Sequence, residues 1–208
     1  MVTRYTLTLE NKSQNAGNMC VYQTYPDAGI NLLSLAWFSK PCNPGTRLKV
    51  RWDIQYAFVW SETGTLAPGV EFDASQIVNC DPSNINSNST LFTKEFGAYN
   101  FKDAPKPAPA GSMGIFTDGL IPHGLASIGI AMSDRPAVAC QATPNFTFTF
   151  TPHPRYWVAF GSFTPSEVID VNAVSNPLEI TFPPNVFGLS VSLDGKNEWS
   201  GATPTSGA

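Results

Sequence analysis

A chain of 208 residues with 42% hydrophobic and 12% aromatic content can bury a substantial core. Only 13% of it is charged, against roughly 25% in ordinary soluble domains, so Ser, Thr, Asn and Gln must carry the wet surface. A net charge of −4 offers no basic footprint for nucleic acid or an anionic membrane, and no run approaches the ~18 apolar residues of a membrane span.

Strand signals begin at once. From Arg4 to Asn11, Tyr5, Leu7 and Leu9 alternate with Thr6, Thr8 and Glu10, the period-two pattern of a sheet with one wet face. The pattern returns at Leu48, Val50, Trp52 and Ile54, at Phe146, Phe148 and Phe150, and at Phe187, Leu189, Val191 and Leu193. Between these, Met19–Thr24, Leu32–Phe38, Tyr56–Glu62, Val70–Val78, Thr90–Phe96, Ala126–Met132, Ala137–Ala142, Tyr156–Phe160 and Leu178–Phe182 read as further strands. Several are continuous apolar runs, as strands buried on both faces require. Turns fall at Pro44-Gly45, Pro68-Gly69, Asp118-Gly119, Pro183-Pro184 and Asp194-Gly195. With 18 Pro and 16 Gly, no interval is left for a long amphipathic helix.

Two stretches read as surface loops: the Asn- and Ser-rich Asn79–Ser89 and the Pro-rich Lys102–Ser112. The second reads as a crossover loop in preference to a domain linker, because the two halves share one composition. The expected architecture is an all-β, antiparallel β-sandwich or jelly-roll-like fold. It forms a single domain over 1–200, with a flexible tail over 201–208.

The chemistry is sparse. His123 in Pro122-His123-Gly124 and His153 in Pro152-His153-Pro154 are held at defined positions by their prolines. They are the candidate metal ligands, and a divalent metal between them is the one cofactor the residues leave open. Turn hydrogen bonds or aromatic packing are the plainer reading of both, since H-x-H and H-E-x-x-H are absent. The segment Gly124-Leu125-Ala126-Ser127-Ile128-Gly129 departs from the spacing of a nucleophile elbow, which makes Ser127 a strand residue. Cys42 or Cys140 with either histidine would make a Cys–His dyad only by tertiary accident. Glu62 and the Glu167/Asp170 pair are the carboxylates a hydrolase or lyase would need. Asp170-Val171-Asn172 and Asp194-Gly195-Lys196-Asn197 are too sparse for a calcium loop.

Trp37-Phe38, Trp60 and Tyr156-Trp157 could form a stacking platform for a sugar, although paired aromatics in β proteins are more often core. Trp60, Glu62, Tyr156 and Trp157 are therefore the candidate ligand residues. The cysteines Cys20, Cys42, Cys80 and Cys140 lack C-x-x-C spacing; two disulfides in any of three connectivities are arithmetically possible, and four separate buried thiols are the plainer reading. The sequons at Asn11, Asn88 and Asn145 read as chance matches. The opening Met-Val-Thr-Arg run lacks the apolar region of a signal peptide, so a cytoplasmic protein or non-classical export is expected.

The whole chain resembles the RhiA-like proteins, named for a rhizosphere-expressed rhizobial protein. The carrying segments are Tyr5-Thr6-Leu7-Thr8-Leu9, Cys20-Val21-Tyr22-Gln23-Thr24, Leu35-Ala36-Trp37-Phe38-Ser39-Lys40 and Phe58-Val59-Trp60-Ser61-Glu62-Thr63-Gly64. Ala126–Ile130, Phe150–Pro154, Tyr156–Val158 and Glu167–Asp170 continue it, over roughly residues 4–199. The resemblance implies a bacterial or fungal protein of the same architecture. It brings no reaction with it, so no residue inherits a catalytic role. The reading that follows is a non-catalytic binding or interaction protein, with a carbohydrate or small molecule as ligand. Its charge-poor surface favours homo-oligomers. Nucleic acid is not an expected partner.

Overall fold

The computed structural model describes residues 3–26 and 30–205. In chain order the strands are β1 (Arg4–Asn11), β2 (Asn18–Thr24), β3 (Leu33–Leu35), β4 (Phe38–Pro41), β5 (Arg47–Asp53), β6 (Tyr56–Ser61), β7 (Gln76–Cys80), β8 (Ser89–Glu95) and β9 (Ala98–Asp103). They continue as β10 (Met113–Thr117), β11 (Ser127–Met132), β12 (Arg135–Gln141), β13 (Thr147–Phe150), β14 (Arg155–Gly161), β15 (Val168–Ile169), β16 (Leu178–Ile180), β17 (Gly188–Leu193) and β18 (Thr203–Pro204). Among the described residues there is no helix, and none long and apolar enough to cross a membrane. The all-β reading is therefore met.

The strands form four open sheets, ordered β18-β17-β1-β5, β13-β10-β8-β9, β15-β3-β12-β11-β6-β7 and β16-β14-β2-β4. Most pairs are antiparallel, but β1 runs parallel to β17 and β8 runs parallel to β10. A parallel pair needs a crossover connection, and β9 with the Pro-rich segment after it supplies the one from β8 to β10. That segment thus joins two strands of the same sheet.

The alternating strands point as their pattern requires. Leu7 and Leu9 of β1, Val50 and Trp52 of β5, and Leu189, Val191 and Leu193 of β17 all enter one large core cluster. Central strands β6 and β11 are buried along their whole length, which explains their unbroken apolar runs. Their second face carries small groups, Ala57, Val59 and Ala131, and is covered by Phe72, Leu35 and Val168.

Two of the expected strands shift their bounds. Leu32–Phe38 splits into β3 and β4, because Ala36 leaves the ladder to exchange backbone hydrogen bonds with the Ser166–Glu167 segment. Val70–Val78 is a strand only from Gln76, with an isolated bridge from Glu71 to Glu167 before it. Strands β9, β10, β15 and β18 have no counterpart among the strands expected from sequence. Residues 206–208 of the expected tail lie outside the described residues, while Thr203–Pro204 pairs with Leu189 and Ser190.

All four cysteines are free and buried. Burial pushes the Cys140 thiol up to about 12, and burial with the nearby Asp81 charge does the same to Cys80. The folded thiols thus stay protonated where unfolded ones, with an ordinary value of 9.0, ionise. Their contribution to stability is complete below about pH 9 and is lost as pH climbs toward 12. Ellman's reagent at pH 8 is expected to leave the folded protein unlabelled over minutes and to titrate all four thiols in guanidinium. Rapid labelling of the native protein would contradict this packing.

Candidate functional site

The two segments that read as surface loops build a cleft together. Asn79–Ser89 folds back on itself through Asx turns: Asp81 Oδ1 accepts from the Ser83 N–H at 2.9 Å and the Ser83 hydroxyl at 2.6 Å, and Asn84 Oδ1 accepts from the Asn86 N–H at 3.0 Å. The buried Asn88 then ties this loop to the Pro-rich one. Its Nδ2 donates to the Ala108 carbonyl at 3.1 Å, and its Oδ1 accepts from the Ala108 N–H at 3.2 Å. Gly111 N–H also donates to the Pro82 carbonyl at 3.0 Å.

Between them lies a cleft of about 570 Å³ floored by Phe58, Val78 and Phe101. Asn79, Asn86, Ser87, Ser89 and Thr90 line its walls, and Lys102, Asp103 and Lys106 stand along its edge. The Phe58 and Phe101 rings meet edge to face with centroids 6.2 Å apart. Both lysines are engaged elsewhere: Lys102 Nζ pairs with Glu95 at 2.6 Å, and Lys106 lies over the Phe116 ring at 5.8 Å. A second cleft of about 510 Å³ adjoins it, sharing Asn79 and Ser87 and continuing past Ile54, Tyr56, Cys80, Asp81 and Pro82.

Burial, with the Coulombic effect of Cys80 as a lesser cause, pushes the Tyr56 phenol up to about 12, and burial raises the Tyr25 phenol well above its ordinary value. The Tyr25 hydroxyl, Gln23 Oε1 and Trp52 Nε1 have no hydrogen-bond partner among the described residues. This end of the core is therefore polar yet uncharged.

The residues singled out from sequence are dispersed. Trp60 is 7% exposed, donates Nε1–H to Gln76 Oε1 at 2.8 Å, and packs on Phe92 and Tyr99. Glu62 follows it as an exposed residue after β6. Tyr156 belongs to the opposite end of β6, where its hydroxyl meets Met132 Sδ at 3.8 Å, and it edges a separate cleft of about 350 Å³ with Tyr5, Arg155 and Phe182. Trp157 turns to the other face of β14, stacking on Tyr22 and donating to Thr24 Oγ1 at 2.9 Å. The structure does not bring Trp60 and Glu62 together with Tyr156 and Trp157. Trp37 and Phe38 pack edge to face in the core at 4.5 Å.

His123 and His153 are both exposed. Strand β10 begins at Met113 opposite Phe150 and runs to Phe116 opposite Thr147. His123 follows its far end and His153 follows Phe150, so the two flank opposite ends of the β10–β13 pair. Among the described residues no group of three His, Cys, Asp or Glu side chains could hold a metal. The Cys–His dyads are not formed, since the thiols are buried and the imidazoles face out. Glu167 and Asp170 do share a shallow cleft of about 320 Å³ with Phe160 and Phe163, but Glu62 is not part of its lining.

Ser127 is buried and its hydroxyl has no partner among the described residues, so no base activates it. Ser127→Ala removes an unpaired buried hydroxyl and is expected to raise stability by about 1 kcal/mol in urea titration. A clear loss of stability would mean that the hydroxyl is bonded after all.

The sequence matches the RhiA family over residues 2–202. The chain belongs to the RhiA family. A curated relative, protein RhiA of Rhizobium leguminosarum bv. viciae, is 38% identical over 200 residues, spanning 95% of this chain and 85% of the relative. No solved structure matches this chain. The RhiA resemblance carried by Cys20–Thr24, Leu35–Lys40 and Phe58–Gly64 is thus confirmed. In this RhiA-family chain the first two segments are β2 and the β3–β4 stretch, and the third holds most of β6. All three contribute side chains to the main core, which makes them scaffold.

Proposed function

We propose that this RhiA-family protein is a non-catalytic binding protein that self-associates. Its ligand is a small, uncharged, polar molecule of the saccharide class, held between the Asp81–Asn88 and Ala104–Ser112 segments. The observation that carries this reading is the cleft of about 570 Å³, which has an apolar floor and walls of amides and hydroxyls. Such a lining suits a guest with one apolar face and hydroxyls around its edge. Asp103 is the one carboxylate in the lining, so the opposed pair that glycoside hydrolysis needs is not there. Burial keeps the neighbouring Cys80 thiol protonated, which removes it as a nucleophile at neutral pH. The charge-poor surface supports self-association, because copies approach without strong repulsion.

A panel of mono- and oligosaccharides, read by ligand-observed NMR and calorimetry, tests the ligand reading. Asn79→Ala with Asn86→Ala is expected to weaken any hit by roughly tenfold or more while the fold is unchanged, because two hydrogen-bonding side chains are lost. A panel without a binder, or a hit indifferent to the double variant, overturns it.

A further inference from the structure

The hairpin joining β8 to β9 has a two-residue turn, Phe96-Gly97, between the paired Glu95 and Ala98. Both turn residues have positive φ, 51° at Phe96 and 87° at Gly97, as a type I′ turn requires. Asparagine or glycine is the ordinary occupant of the first position, and a bulky aromatic there is strained. Phe96 is also completely exposed, at 107% of its reference area. A strained backbone holding a large apolar ring out in water stabilises nothing within this chain.

The hairpin beneath the ring is stiff. Lys94 lies over the Tyr99 ring at 4.4 Å, Tyr99 packs on Trp60 at 5.7 Å, and Glu95 pairs with Lys102 at 2.6 Å. The adjacent loop adds Leu120 and Leu125, 56% and 57% exposed, held there by Thr93 Oγ1–H donating to Asp118 at 2.5 Å and by the Tyr99 hydroxyl meeting the Leu125 carbonyl at 3.5 Å.

At the opposite end of β6 lies the second cleft, about 510 Å³, with Ile54, Tyr56 and Pro82 in its lining and Asp81 beside them. Tyr99 packs on Trp60 near one end of β6, whereas Tyr56 and Cys80 pair at the other. The length of the strand thus separates tip from cleft, and one copy cannot seat its own Phe96.

We propose that Phe96 of one copy docks in the Ile54–Tyr56–Pro82 cleft of a second copy, joining copies head to tail. This deepens the self-association in the reading above. The cleft is mainly apolar and wide enough for a benzyl group with its turn. Lys94 behind the ring, which has no ion-pair partner among the described residues, approaches Asp81 at the cleft edge. The pair retains one free tip, on one copy, and one free cleft, on the other, so assembly continues into a ring or an open chain.

Sedimentation velocity over a concentration series, with three preparations, tests this. Wild type is expected to grow in mean mass with concentration. Phe96→Asn suits the turn and should keep or raise thermal stability while remaining monomeric, and Ile54→Lys, which blocks the cleft, should also remain monomeric. An equimolar mixture of the two variants is expected to form a species that stops at a dimer, since each supplies one intact half. A wild type that stays monomeric throughout, a Phe96→Asn variant that assembles like wild type, or a variant mixture that stays monomeric overturns the proposal. Saccharide binding by Phe96→Asn is expected to equal wild type, so failure here is distinguishable from failure of the ligand reading.

Discussion

Replacing Gly129 by alanine is expected to be among the most damaging single-methyl changes in this protein. Gly129 sits in β11, between Val59 of β6 and Ala139 of β12. A Cβ there would fall 2.1 Å from the Val138 carbonyl oxygen and 3.0 Å from the Ala139 Cα. Both obstacles are backbone of a paired strand, so no rotamer change relieves them. Strand β12 would have to move away, and hydrogen bonds at the centre of the largest sheet would go with it. Overpacking of this kind costs about 3 kcal/mol or more. In a chain of this size that lowers Tm by roughly 6–12 °C, or prevents soluble expression. Gly195→Ala is the control, because nothing lies within 4 Å of the added methyl. Its Tm should stay close to wild type. Equal melting of Gly129→Ala and wild type would show that the strands are not this close.

Trp37→Ala is expected to have a comparable effect by the opposite mechanism, a void. Trp37 is 1% exposed and stands among Phe38, Trp52 and Tyr156, with ring centroids 4.5, 5.3 and 6.1 Å away. Its Nε1–H donates to the Met132 carbonyl at 2.9 Å. Removing the indole takes away that bond and leaves a cavity rigid neighbours cannot fill, at a cost of about 3–5 kcal/mol. Trp37→Phe keeps most of the volume but strands a buried carbonyl, costing about 1–3 kcal/mol. Urea titrations with unchanged m-values should give the order Ala worse than Phe. If both variants match wild type, the aromatic cluster is not what holds these sheets together.

The scaffold was legible where hydrophobic pattern is decisive. The alternating residues of β1, β5 and β17 announce a sheet with one dry face, and the solid apolar runs of β6 and β11 announce strands covered twice. Pattern failed at β9, because its outer face is wet and its lysine and aspartate sit next to a proline-rich stretch. Yet Tyr99 and Phe101 do alternate there, and that spacing was the signal available. Strand β10, Met-Gly-Ile-Phe-Thr, is short and carries a glycine, so nothing marks it without its neighbours.

The site was harder to read than the scaffold. Trp60 and Tyr156 look alike in sequence, and only register places them at opposite ends of β6. Proline-flanked histidines announce fixed positions but not shared ones. The cleft draws on Phe58, Asn79 and Phe101, residues from three strands, and no local window contains that combination. The joining of two loops through Asn88 is likewise invisible, since an asparagine in an Asn-rich run looks interchangeable with its neighbours. Phe96 was legible in principle: a phenylalanine directly before glycine at a hairpin tip is an unusual choice.

The parallel pairing of β1 with β17 bears on how such a chain is made. Strand β1 is flanked on one side by β5, which follows soon after it in the chain, and on the other by β17, which follows much later. During translation one edge of β1 must therefore wait unpaired while the 176 residues between Asn11 and Gly188 emerge. Completion of that sheet is a late event, set by chain elongation as much as by strand propensity. A ribosome stalled before β17 would hold a nascent chain with an open, aggregation-prone edge. Pulse proteolysis of such stalled chains should find the β1–β5 region protected only after Leu193 has cleared the exit tunnel.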